Sequence, residues 1–348
     1  RRRCDAPSNR NGDIWGSEVM MTGRRRFGVL PGDPAGIGYE IAVKALREYD
    51  EAGALPAAFV VYTHAGLFEL ARARYAPKMQ IARARTPGEI DGTGIYCIDV
   101  GYGDDDIAPG VVSAQAARCA HRAIERCTLD VTNGDIDGIC TGPIHKGAMR
   151  LANIGEIGHT EMLAHAFDAP NPITLFLTND LRIFFYTRHL SLRQAIDALD
   201  VEQLVAFGET INVHMRQLGF ASPHLALAAL NPHASDGGQF GDEEERILVP
   251  AANRLRRLGI DISDPIGADS VFYLASRGKY DAVVSLYHDQ GHIAAKTYDF
   301  DRTISATLGL PVLRTSVDHG TAMDIAWRGM AQHVSMKTAL DALLRYCF

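Results

Sequence analysis

No run of this 348-residue sequence approaches the roughly 18 consecutive apolar residues of a membrane-spanning helix, so none is expected to cross a membrane. Basic residues are not in excess. Thirty-five Lys and Arg stand against 42 Asp and Glu, a formal net charge of −7, without the basic footprint that holds nucleic acid. The six cysteines (Cys4, Cys97, Cys119, Cys127, Cys140 and Cys347) contain no CxxC pair, and no signal peptide precedes them. The reading is a cytoplasmic chain whose thiols fill space in the core. Neither standard phosphate-loop fingerprint is present. In "GVLPGDPAGIGYEI" the glycines at 32, 36 and 38 match neither GxGxxG nor GxxxxGK[ST]. There is no low-complexity linker and no short-period repeat.

What is present reads as an ordinary globular composition, 47% hydrophobic and 22% charged, with length for two α/β domains. Residues 1–25 lack periodicity and are expected to form a disordered extension, with Met20 or Met21 as the start of the native chain; Asp5, Asp13 and Glu18 argue against a transit peptide. From Phe27 onward, short apolar strands alternate with helical patterns, which predicts an α/β fold on a largely parallel sheet. "FGVLP" precedes "EIAVKALREYD", and "AAFVVYT" precedes "AGLFELARARYA". The spacing of "VVSAQAARCAHRAIERCTLD" predicts a long buried helix.

The second half repeats one construction. "LRIFFYT" leads to Arg188-His189, "PHLALAAL" to Asn231-Pro232-His233, and "YDAVVSLY" to His288-Asp289-Gln290-Gly291. Ligand crevices in open parallel sheets lie beyond the carboxyl ends of the strands. If these strands share a sheet, His189, His233 and His288 converge there and form a partial shell for a divalent metal, with Asp289 orienting a ring. The alternative is three histidines that merely cap strand ends.

Other strings admit two readings each. Thr160 in "IGHTEMLA" is either an ordinary helix N-cap or, with His159, a contact for an anion or substrate hydroxyl. Arg314 lies inside the apolar strand "PVLRTS", where an unpaired charge is costly, so it faces either a structural carboxylate or a substrate anion. "TGPIHKGAM" offers exposed amides beside Lys146 but lacks Walker spacing.

The strings "GDPAGIG", "TGPIHKG", "GHTEMLA", "LNPHASDGG", "GADSVF", "YHDQGH" and "TLGLPVLRTSVDHGTAMDIA" together resemble the 4-hydroxythreonine-4-phosphate dehydrogenase (PdxA) family of pyridoxine biosynthesis, in that family's order, from about Phe27 to Met336. The resemblance implies two α/β/α domains with a cleft between them, as in isocitrate and isopropylmalate dehydrogenases. The first would span 26–135 plus 306–348, and the second 136–305. It implies a homodimer with the active site near the interface. It also implies NAD-dependent oxidation of a small phosphorylated hydroxy acid, with loss of CO2 from the resulting β-keto acid. Carried over by motif, His189, His233 and His288 would bind the metal. His159, Thr160, Lys296, Ser305 and Arg314 would contact substrate, and Lys296, Asp269 and Asp289 are the candidates for proton transfer. "SVDHGTAMDIAWRGMA" resembles the adenosine-binding loop "HGxAxDIAGxG" of isopropylmalate dehydrogenases, which implies cofactor contacts at His319, Gly320, Thr321 and Asp324. The opening loop then resembles "LPGDGIGPE" of the same relatives and becomes a wall of the cleft, with Asp33 capping its turn.

Two departures bear on the substrate. His292 follows "HDQG" where an apolar residue is usual, and Ser305 replaces an asparagine that touches substrate. "DQGHIxxK" looks more like the branch acting on threonate or erythronate 4-phosphate, which yields dihydroxyacetone phosphate. A further relative oxidises aromatic dihydrodiol carboxylates. His292 itself either approaches the metal or substrate, or packs. The metal is Zn²⁺, Mg²⁺, Mn²⁺ or Co²⁺, and histidine ligands favour zinc or another transition metal. Two other classes are a metal-dependent aldolase or hydrolase without NAD, and a non-catalytic metabolite binder.

Overall fold

A computed structural model describes residues 25–53, 55–101, 107–156 and 158–347. The expected extension over residues 1–25 lies, Arg25 apart, outside the described residues, as does Cys4. In chain order the strands are β1 (Arg26–Leu30), β2 (Ala58–Thr63), β3 (Ala82–Arg83), β4 (Gly94–Asp99), β5 (Gly138–Thr141) and β6 (Ile173–Thr178). They continue as β7 (Leu181–Phe185), β8 (His224–Leu227), β9 (Asp261–Ile262), β10 (Ala282–Ser285), β11 (Thr303–Leu308) and β12 (Leu313–Val317). The helices are α1 (Gly38–Glu51), α2 (Ala65–Tyr75), α3 (Ala114–Thr132), α4 (Lys146–Leu151), α5 (His159–Ala166) and α6 (Leu192–Asp197). They continue as α7 (Val201–Gln217), α8 (Val249–Arg257), α9 (Ala268–Ser276), α10 (His288–Tyr298) and α11 (Val334–Tyr346).

The twelve strands form one sheet in the order β3-β4-β2-β1-β5-β12-β11-β6-β7-β10-β8-β9. The six from β3 to β12 run parallel. β11 opposes β12 and β6, and β6 opposes β7. β7, β10, β8 and β9 are again parallel to one another. Eight of the eleven pairings are parallel, so the sheet is largely parallel as expected, and the three antiparallel pairings around β11 and β6 make it mixed. Two parallel blocks point in opposite directions, and two antiparallel strands join them.

Local chemistry places the elements. β1, β2 and β5 are short apolar runs buried on both faces, as covered parallel strands require. The expected long helix is α3, where the Ser113 hydroxyl caps the Ala116 N–H and the alanines and cysteines at helical spacing are buried. α6 opens with a capping box between Ser191 and Gln194.

The two faces of the sheet differ. On one, a single apolar core runs from β4 across to β8 beneath α1, α2, α7, α8 and α11. On the other, the core is divided. Leu30, Val60 and Ile139 pack under α3, α4 and α5, whereas Phe176, Ile183 and Val283 pack under α9 and α10. Between these two cores the strands turn polar side chains outward. Ile304, Ala306 and Leu308 of β11 belong to the continuous core, so Ser305 and Thr307 point the other way. Thr315 donates to the Ala339 carbonyl of α11, so Arg314 and Ser316 share the face of Ser305 and Thr307. The result is a polar seam along β11 and β12, with helices on either side. β5, which the expected division at residue 136 assigns to the second unit, pairs with β1 and β12.

Candidate active site

β7, β10 and β8 are adjacent and parallel, so the segments after them leave the same end of the sheet. His189 follows β7 by four residues, His288 opens α10 three residues after β10, and His233 lies six residues beyond β8. The His189 and His288 rings come within 6.1 Å, centroid to centroid. Two imidazoles that share one zinc at Zn–N of about 2.1 Å would sit roughly 5–6 Å apart. Asp289 Oδ1 lies 2.6 Å from His288 Nδ1, so Nδ1–H donates to the carboxylate and Nε2 is left as the ligand atom. The donor chemistry thus fits a divalent ion. His233 stays apart, and among the described residues no three His, Cys, Asp or Glu groups converge to metal-holding distance.

The backbone explains His233. It opens a left-handed run, His233, Ala234, Ser235 and Asp236, at φ of 52°, 53°, 64° and 47°. Four such non-glycine residues in a row are costly and persist only where surroundings hold them. Glu244, buried, accepts from the Leu230 and Asn231 backbone N–H groups and from Asn231 Nδ2, each at 2.8 Å. Asp269, exposed at the start of α9, is separated from the His233 backbone only by Gly267. His292 does not reach outward. Its ring stacks on His288 at 3.7 Å and packs on Phe176 and Phe185. Burial, then the neighbouring His288 and Lys296 charges, push its pKa down to about 4, so it is a neutral packing ring.

Arg314 is buried, and among the described residues no carboxylate lies within ion-pair distance of it. The structural ion pair is therefore not what the strand accommodates. Its nitrogens donate to hydroxyls instead: Nε and one Nη to Thr141, the other Nη to Thr160 and Thr307, all at 2.9–3.1 Å. Burial lowers its pKa to about 10, which still leaves it charged at neutral pH. A buried guanidinium satisfied only by hydroxyls retains its full positive charge for an anion. Beside it His159 is buried, with Nε2 lacking a partner, and desolvation followed by the Arg314 charge depresses its pKa and keeps it neutral. Thr160 is not the N-cap of α5. Gly158 holds that position, which frees the Thr160 hydroxyl to accept from Arg314. Thr160 also lines a cavity of about 690 Å³ with Arg188, Tyr186, Gln203 and Thr210. Thr141, Thr307, Arg188 and Glu244 were not singled out from sequence. Arg188 stands next to His189, and that adjacency was the available signal.

The remaining candidates lie elsewhere along the seam. Ser305 is half-buried opposite Ser316. Lys296 sits eight residues along α10 from His288, about 12 Å of helix, and pairs with Asp318 Oδ2 at 2.7 Å. Asp318 and His319 follow the carboxyl end of β12, the opposite end of the sheet from His288. His319 Nδ1 lies 3.0 Å from the Gly320 carbonyl, its Nε2 is buried without a partner, and Asp324 is exposed.

Here the opening loop finds its place. Gly36 lies where a Cβ would meet Thr321 at 2.9 Å, and the Ile37 N–H donates to the Thr321 carbonyl. Gly32, at φ 87°, would drive a Cβ into the Pro143 carbonyl at 2.1 Å. Asp33 Oδ1 accepts from the Ala35 N–H and caps the turn as expected, while burial raises the Asp33 pKa. The loop thus packs against the His319–Thr321 segment as a wall.

Comparison with known proteins identifies the family. A family model described as "Pyridoxal phosphate biosynthetic protein PdxA" matches residues 56–343. A Clostridium botulinum protein named "Putative D-threonate 4-phosphate dehydrogenase" is 40% identical over 332 residues, covering 94% of this chain and 98% of its own. Among solved structures, 4-hydroxythreonine-4-phosphate dehydrogenase from Klebsiella pneumoniae superposes with a TM-score of 0.83 at 37% identity, covering 94% of this chain and 100% of that one. A terephthalate 1,2-cis-dihydrodiol dehydrogenase from Burkholderia xenovorans is more distant, with a TM-score of 0.63 at 26% identity, over 93% and 98% of the two chains. With a mixed α/β sheet like theirs and a family match across most of its length, the chain belongs to the PdxA family of dehydrogenases.

Proposed function

We propose that the chain oxidises a small phosphorylated hydroxy acid with NAD and a divalent metal, and releases CO2 from the β-keto acid so formed. Threonate or erythronate 4-phosphate is the favoured substrate, with dihydroxyacetone phosphate as product, and 4-phosphohydroxythreonine is the alternative. The observation that carries the reading is Arg314, a buried charged guanidinium with hydroxyl partners only, beside the neutral His159 and the cavity-lining Thr160. Such a group suits an anionic substrate and serves no apolar one. The names of the 40% identical relatives support the threonate-phosphate choice.

His189, His288 and His233 would hold the metal, which supplies Lewis acidity toward the substrate hydroxyl and the later ketone. His319, Gly320, Thr321 and Asp324 would take the adenosine side of NAD, which supplies the hydride acceptor. Arg314, Thr160 and His159 bind and orient the anionic substrate, whose remainder lies along the seam toward Ser305. Asp318 Oδ2, 2.7 Å away as an ion pair, holds the Lys296 ammonium, which would carry the proton through Nζ. Asp289 is engaged with His288, and Asp269 is turned to Ser270, which leaves Lys296 as the preferred proton carrier. Exposed Leu190, Leu192, Phe240, Tyr273 and Ile293 lie on the segments after β7, β8 and β10 or on α9 and α10, a cover that suits the homodimer and would complete the histidine shell. The halves on either side of the seam are read as the two α/β/α units of the fold.

The test is NADH formation by purified protein with added divalent metal, offered in parallel D-threonate 4-phosphate, 4-phosphohydroxythreonine and a terephthalate dihydrodiol. Turnover of the first is expected. Turnover of the dihydrodiol alone, or product formed without NAD reduction, would overturn the assignment.

A further inference from the structure

We propose that Arg188 is a second guanidinium of the anion site, and that with Arg314 it selects a dianionic phosphomonoester at one end of the substrate. This rests on the phosphorylated-acid reading above. The juxtaposition comes from strand register. Thr174 of β6 lies directly opposite Thr307 of β11, and Thr307 opposite Arg314 of β12. Directly opposed residues of antiparallel strands point to one face with Cβ atoms about 4.5–5.5 Å apart. The Arg314 guanidinium donates to Thr307, and the Arg188 guanidinium donates to Thr174. Two guanidiniums therefore reach the same facing pair of hydroxyls from opposite sides.

The charges around them do not cancel. Among the described residues no carboxylate lies within ion-pair distance of Arg188, whose guanidinium donates to the Thr174 hydroxyl. Arg188 lines the 690 Å³ cavity directly, and Arg314 lies behind Thr160 on the same wall. The charged or titratable groups facing the site are these two arginines, Glu161, the neutral His159 and Tyr186, whose phenol burial keeps protonated. Glu161 is the acidic residue of the lining, and its Oε2 folds back over Gly158 at the start of α5. One carboxylate against two guanidiniums leaves a net positive site. A carboxylate ligand would balance that net charge, but its two oxygens serve a single guanidinium fork. A phosphomonoester carries three acceptor oxygens and engages both forks at once.

The test reads binding of inorganic phosphate to the full chain by calorimetry and thermal shift, without NAD or metal, followed by steady-state kinetics. Wild type is expected to bind phosphate, and Arg188→Gln to weaken it about tenfold or more, as Arg314→Gln does. In turnover, Arg188→Gln should raise KM for the phosphorylated acid by a similar factor and leave kcat nearly unchanged. Phosphate binding that Arg314→Gln loses and Arg188→Gln keeps would overturn the proposal, and so would a wild type that binds no phosphate. If Arg188→Gln gives no cooperative melt, Arg188→Lys decides. It keeps the charge and loses the planar fork, so unchanged phosphate affinity there counts against the clamp and a clear loss supports it. A wild type that binds phosphate through Arg188 but turns over neither phosphorylated acid would sink the dehydrogenase reading and leave the clamp standing.

Discussion

His159 shows how much one buried ring can report. It is buried against Arg314, its Nε2 has no partner, and desolvation holds its pKa well below the usual histidine value. A histidine neutral in the folded chain but basic when unfolded binds fewer protons when native. Its stabilisation is complete above the unfolded value near 6.5 and drains away as pH falls below it. The melting temperature should therefore drop between pH 6.5 and 5, and His159→Gln, which cannot charge, should make that drop shallower. An identical slope in the variant would show that other groups govern the acid limb. The cysteines make the opposite point at the same scale. Burial raises the Cys97, Cys119, Cys127 and Cys140 thiols, Cys119 to about 11 and Cys97 and Cys140 to about 12, and this matches their reading as core fillers without nucleophilic character.

At the scale of elements, sequence patterning located the strands and their prevailing parallel pairing, but not the antiparallel joint in the middle of the sheet. The apolar runs that became β1, β2 and β10 were legible because strands buried on both faces are near-continuously apolar. That β6 and β11 run antiparallel to their neighbours was not legible, because pairing direction leaves no mark on the period of a strand. Arg314 was legible as a misfit charge, but its threonine partners come from β5, β11 and α5 and are separated by up to 173 residues. The His233 turn is another case. Its support is Glu244, and the "GDEEER" string gives no hint that this glutamate is the one that turns inward. Glu244→Gln replaces an acceptor oxygen with a donor facing other donors, a loss of about 1–3 kcal/mol. Calorimetry should show a melting temperature several degrees lower. Metal titration should show affinity reduced about tenfold or more, because the turn presenting His233 loosens. A stable variant with unchanged metal affinity would remove Glu244 from the support of that histidine.

For the whole molecule, the opposed directions of the two parallel blocks decide what can meet. The histidines leave one end of the sheet, while the opening loop, Asp318 and His319 leave the other. α10 spans the distance, carrying His288 at its first turn and Lys296 near its last. The Lys296–Asp318 pair is therefore the contact by which the histidine helix grips the loop read as the cofactor wall. It is partly exposed, so its contribution to stability is small, with typical pairs of this kind worth under about 1 kcal/mol. Its effect on where Nζ points is another matter. Asp318→Asn keeps the shape and gives up the charge that holds Nζ, and it lies far from the hydroxyls around Arg314. The expected result is a melting temperature within about a degree or two of wild type, unchanged inorganic phosphate binding, and kcat lowered about tenfold or more with a shifted pH profile. An unchanged kcat and pH profile would mean that Lys296 needs no carboxylate to hold it, and that the two ends of the sheet work without this tie.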